Sequence, residues 1–192
     1  MVWPNTALVE RNDFDTAMVA LVLDTNDKAL SDALAGNSAT NPLTSLVDPI
    51  TPQRIHAEWS ANTYDGGPVR VIYTDQYDVQ HNELITPSAT PGAGSITTFA
   101  VKHLISAAKT VVGADAATVT LECTNHVGVI PTIDPTGVDA VMVFVNDGSG
   151  GANTADTAQP SVDLTDGANI IVPATAGDAA KVFIFVYPSV TD

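Results

Sequence analysis

Three segments, VDAVMVFV (138–145), NIIV (169–172) and KVFIFVY (181–187), are apolar at consecutive rather than alternate positions. A β-strand points successive side chains to opposite faces, so segments of this kind belong to sheets covered on both sides. Two other segments alternate. In PVRVIY, Val69, Val71 and Tyr73 share one face, and in ATVTLEC so do Val119, Leu121 and Cys123. Those two predict strands buried on one face only. No βαβ alternation and no fixed-period repeat accompany them, which argues against a doubly wound parallel sheet.

Before residue 60 the pattern is different. Asn12 or Asp13 offers an N-cap for the apolar run Ala17–Leu23, and a second start at Thr25 or Asn26 runs to Gly36, which predicts short helices. The stretch NPLTSLVDPITPQRIHAEW follows, where Pro42, Pro49 and Pro52 hold the backbone extended. We therefore expect residues 1–60 to form an N-terminal arm and residues 61–192 a β domain with a long loop at 146–168. Ile96, Ala100, His103, Leu104, Ala107 and Val111 fall at helical spacing ahead of Gly113. They predict one further helix near 97–112, covering a sheet face. The fold class expected is mainly β: an antiparallel sandwich of jelly-roll type, or a barrel, with these few helices.

Composition narrows the partners. Seven Lys and Arg stand against 22 Asp and Glu, a formal net charge of −15. That leaves no basic stripe for nucleic acid and no attraction to an anionic membrane surface. No apolar run reaches the roughly 18–20 residues of a membrane-spanning helix, and the N-terminal stretch lacks the pattern of a secretory signal. Only Glu10, Glu58, Glu83 and Glu122 are glutamates, so the acids are mostly Asp, a residue of turns and caps. Charged residues make up 15% of the chain, against about 25% in ordinary soluble domains. Permanent subunit interfaces are depleted in Lys and Glu, so one reading is that part of this surface is covered by protein; an acidic, Asp-rich surface suited to a marine or high-salt source is the other, and the two are compatible. Cys123 is the single cysteine, which excludes an internal disulfide.

No motif names a reaction. The chain has no Gly-x-Ser-x-Gly elbow, no P-loop and no dinucleotide-binding glycine pattern, and Cys123 sits in an alternating strand rather than at a helix start. Asn146, Asp147, Asp156, Asp163 and Asp166 gather hard oxygen ligands in one region, but their spacing matches no calcium loop. They read as turns in an exposed excursion between paired strands. His56 with Glu58, and His81 with Glu83, each place an imidazole and a carboxylate two residues apart, on one face of a strand. Each pair would supply half of a zinc or iron site, but the His-x-His or His-Glu-x-x-His pattern that would complete one is missing. We assign no catalytic residue, no cofactor and no metal on this pattern, and expect a non-enzyme.

A lysine-poor chain with a Pro-punctuated arm, sheets apolar on both faces and long Gly/Asn loops resembles the coat and decoration proteins of virus particles. The resemblance implies a virion building block, assembled in the host cytoplasm. Its partners would be copies of itself and other virion structural proteins. The interface expected for the arm comprises Trp3, Phe14, Met18, Leu21, Leu43, Leu46 and Ile50, since so polar a segment needs outside apolar contact to offset its ordering entropy. Alternatives are an extracellular β-sandwich module for carbohydrate binding or adhesion, and a small metal-binding barrel enzyme using the His-x-Glu pairs.

Overall fold

The computed structural model describes residues 14–88, 94–146, 153–156, 158–175, 177 and 181–190. Its twelve strands are β1 (Phe14–Val22), β2 (Leu34–Ala35), β3 (Gln53–Trp59), β4 (Val69–Asp75), β5 (Gln80–Ile85), β6 (Val101–Lys109), β7 (Thr118–Gly128), β8 (Met142–Asn146), β9 (Thr154–Ala155), β10 (Ser161–Asp163), β11 (Ile170–Val172) and β12 (Val182–Val190). Every strand pairing is antiparallel. A four-stranded sheet runs in the order β1-β12-β8-β9, and an eight-stranded sheet in the order β10-β11-β7-β3-β6-β4-β5, with β2 also on β7. Among the described residues neither sheet closes into a barrel. Among the described residues the only helical pieces are two single 3-10 turns, Val138–Ala140 and Thr165–Gly167.

The alternating segments behave as their pattern requires. Val69, Val71 and Tyr73 are fully buried, as are Val119, Leu121 and Cys123. Both sets enter one core with Ile55 and Ala57 of β3 and Val101, Leu104 and Ala107 of β6. Strands β3 and β6 share a single register pair, Gln53 with Val101. Pairing across that seam is thus minimal, and side chains of β7 and β3 share this core with those of β6, β4 and β5. A second core joins the inner face of β12 (Phe183, Phe185 and Tyr187) to Ala17 of β1, Val143 of β8, Val127 of β7 and Ile171 of β11.

The structure corrects both helix expectations before residue 60. Residues 14–22 form β1, which pairs with β12 over nine residues from Phe14–Val190 to Val22–Val182. Its apolar run is a strand with apolar side chains on both faces, and its period of two is invisible in the sequence. Residues 25–36, expected as a second helix, make a turn at 25–28 and then run along β7: Leu30 N donates to Leu121 O, Cys123 N donates to Lys28 O, and Leu34 pairs with Val119.

The helix expected near 97–112 is largely strand β6. Its buried apolar residues Val101, Leu104 and Ala107 are three apart because the register against β4 slips twice, between Ile72 and Tyr73 and between Thr74 and Asp75; beyond both slips Lys109 is buried two residues after Ala107. Each bulge inserts one residue and so turns a two-residue repeat into a three-residue one. Two bulges in nine residues thus reproduce the spacing of a helix face.

The connection at 146–168 also differs from expectation. It does not join paired strands: β8 belongs to the small sheet and β11 to the large one, and on the way β9 pairs with β8 and β10 with β11.

Candidate functional site

Two features stand out, a buried cluster of His and acids and an apolar sheet face. In β3 the side chains of Ile55 and Ala57 enter the core, which turns His56 and Glu58 to the opposite face. Strand β7 pairs His56 with Glu122, and Glu122 shares that face for the same reason, lying between the core residues Leu121 and Cys123. Asp27 arrives from a turn. Its φ of 65° is a left-handed conformation that Asp tolerates better than most residues, and its backbone N is tied to Cys123 O at 3.1 Å.

The ligand atoms of Asp27, His56, Glu58 and Glu122 all lie within 4.8 Å of one another, the one such group of three or more His, Cys, Asp or Glu among the described residues. His56 Nε2 is 3.7 Å from Asp27 Oδ1 and 3.7 Å from Glu122 Oε2. The imidazole is 1% exposed, Glu122 14% and Asp27 46%, so the cluster grades from sealed to open. Both ring nitrogens of His56, together with Oε2 of Glu58 and Oε2 of Glu122, are buried without a hydrogen-bond partner.

A cavity of about 120 Å3 adjoins the imidazole, lined by Asn26, Asp27, Ile96, Thr124, Asn125 and His126 among others. Burial lowers the pKa of His56, against the opposing pull of Asp27 and Glu58, and keeps the ring in its neutral, ligating form. Burial, then the neighbouring Glu58 charge and a side-chain hydrogen bond to Glu58, raise Glu122 well above the ordinary carboxylate range. The nearby cations are engaged elsewhere: Lys28 pairs with Asp24 at 2.7 Å and Arg54 with Asp163 at 2.7 Å.

The second His-x-Glu pair does not join the first. His81 Nε2 bonds Asp75 at 2.8 Å and its ring stacks on Phe99 with centroids 4.2 Å apart. Glu83 accepts from Tyr73 Oη and from Thr98 N. His103, expected on a helix, lies exposed on β6 against Asp48. His126 lies in β7.

Of the loop acids, Asp156 accepts from Ala174 N and Thr175 N, and Asp163 holds Arg54, so the two serve separate ends of the connection. Asp147 lies outside the described residues. Cys123 is buried in the core, and burial pushes its thiol up to about 12.

The outer face of the small sheet is the second feature. Along β1, Ala17, Val19 and Leu21 pack inward, which leaves Met18, Ala20 and Val22 on the outside. Register then sets Met18 beside Val186 and Met142, Ala20 beside Ile184 and Phe144, and Val22 beside Val182. None of these side chains belongs to a core cluster, and Met18 is 75% exposed.

The residues expected at an interface divide. Met18 lies on this face and Ile50 is exposed elsewhere, whereas Leu21, Leu43 and Leu46 pack in the chain's own cores. Phe14 is placed by its backbone in β1, opposite Val190. Trp3 lies outside the described residues.

Asp27 and Glu122 were not singled out from the sequence. A signal existed for Glu122. Glutamate is depleted in strands, yet three of the chain's four glutamates, Glu58, Glu83 and Glu122, sit inside strand-patterned segments. For Asp27 there was none, because its place depends on a turn docking against β7. No protein-family model matches the chain, and no similar curated protein or solved structure was found.

Proposed function

We propose that this chain is a non-enzymatic structural subunit of a virus particle, a capsid or capsid-decorating protein of β-sandwich type that acts through contacts between subunits. The observation that carries the reading is the outer face of the β1-β12-β8-β9 sheet. Three adjacent cross-strand rows there, centred on Val186, Ile184 and Val182, are apolar apart from Asn146, and none contains a charged residue. Met18 and Met142 are exposed here, and Val182, Ile184, Val186 and Phe144 between them are half-buried; a contiguous, partly accessible apolar surface of this kind marks an interaction site.

Its occupant is a second copy of the chain. A partner with a net charge of −15 is tolerated only where the contact surface itself is neutral, and this face is neutral. Met18 and Met142 add side chains that adapt to a facing surface. The edge strand β1, paired on one side by β12, extends the same contact.

The test is the native mass of the purified protein. A defined oligomer is expected, and Met18→Asp or Val186→Asp should return it to monomer while the melting temperature of the monomer stays within about 2–4 °C, the shift of roughly 1 kcal/mol for a chain of this size. Point substitutions are required because Leu23, Leu30 and Leu43 belong to the cores, so removing residues 1–50 dismantles them. A wild-type protein that stays monomeric at high concentration removes the assembly reading. Its attribution to a virion is checked separately, by whether the chain purifies with particles at a fixed stoichiometry.

A further inference from the structure

We infer that Asp27, His56, Glu58 and Glu122 form a binding site for one divalent first-row transition ion, of the zinc or manganese class, which pins the 25–28 turn to β3 and β7. The inference is independent of the assembly reading. Two observations carry it beyond a cluster of acids. The first is His56, a buried imidazole with no hydrogen-bond partner on either nitrogen, whose Nε2 stands 3.7 Å from two carboxylate oxygens. Buried polar atoms in folded proteins are almost always partnered, and here Glu58 and Glu122 leave orphaned oxygens in the same place.

The second is the geometry. Ligands around one ion, at bonds of about 2.0–2.2 Å, stand up to roughly 4 Å apart, and the four side chains here converge within 4.8 Å. Rotamer adjustment of well under an ångström per ligand closes the difference.

The donor set indicates the class of ion. One neutral imidazole with three carboxylates is richer in nitrogen than the all-oxygen sites of calcium and magnesium, and lacks the thiolates of a closed structural zinc centre. The ion also answers an electrostatic problem. Asp27, Glu58 and Glu122 bring three acidic groups together while Lys28 and Arg54 are paired with Asp24 and Asp163. A divalent charge at their centre turns mutual repulsion into attraction. Entry is from the Asp27 side, through the cavity of about 120 Å3.

The experiment uses the full chain, freed of metal by chelation and dialysed. ZnCl2, MnCl2, CaCl2 or MgCl2 is then added, with thermal unfolding and bound metal after desalting as readouts. Zinc or manganese should raise the melting temperature by about 5–10 °C at roughly 100 times Kd, with one equivalent retained, and calcium and magnesium should do less.

His56→Ala and Glu122→Gln should lose the rise and the retained equivalent, while His81→Ala keeps both. If His56→Ala does not fold, Glu122→Gln together with the wild-type stoichiometry decides. No rise with either transition ion overturns the proposal. So does a rise that survives in Glu122→Gln, or several equivalents bound equally by wild type and variant, which is the behaviour of scattered surface carboxylates.

Discussion

His56-Ala57-Glu58 and His81-Asn82-Glu83 have the same spacing, yet the structure treats them in opposite ways. Strand β5, which carries the second pair, lies at the end of the large sheet and meets β4, whose residues supply complementary groups: Asp75 for the imidazole and the Tyr73 hydroxyl for the carboxylate. Phe99 closes over the ring. Strand β3 lies within the sheet, and β7 brings Glu122 opposite His56, adding an acceptor where a donor was needed. A period of two fixes only that His and Glu share a face. The register of the neighbouring strand decides whether the pair is a finished hydrogen-bond network or a set of unfilled ligands.

The sharpest way to break this comparison is at the finished pair. Glu83→Ala leaves the Tyr73 hydroxyl, on a fully buried residue, and Thr98 N without their acceptor. An unsatisfied buried group costs about 1–3 kcal/mol, so the expected loss is about 2–3 kcal/mol, measured as a shift in denaturant midpoint at constant slope. A loss below about 0.5 kcal/mol shows that the network is not a structural unit. His81→Ala should follow with about 1–2 kcal/mol, from the bond to Asp75 and the stack on Phe99.

How much of this was readable from sequence follows the same division. Wherever one strand's own pattern sufficed, as in Val69-Val71-Tyr73 and Val119-Leu121-Cys123, the expected faces are the buried ones. Where a neighbour intervened, the pattern misled. Bulges against β4 gave β6 a helix-like spacing, and pairing with β12 made a strand of a segment that looked like a capped helix. The doubly apolar segments β8 and β12 asked for cover on both faces, and one of their faces remains outside every core cluster. The convergence of His56 with Glu122 and Asp27 spans 66 and 29 residues of sequence and rests on register, which no local pattern encodes.

The smallest expected effect is the most discriminating. His56→Leu in the metal-free protein should change stability by less than about 1 kcal/mol in either direction, although the residue is fully buried. The imidazole makes no hydrogen bond to lose, and burial already holds it neutral. Leucine has similar bulk and removes two unsatisfied nitrogens, a gain that offsets its poorer fit against the carboxylates. Denaturant titrations of wild type and variant in chelator should therefore nearly superimpose, and should separate when zinc or manganese is added, because only the wild type has the ligand. If His56→Leu costs as much in chelator as Glu83→Ala does, then the ring of His56 has partners after all and the two pairs do not differ in kind.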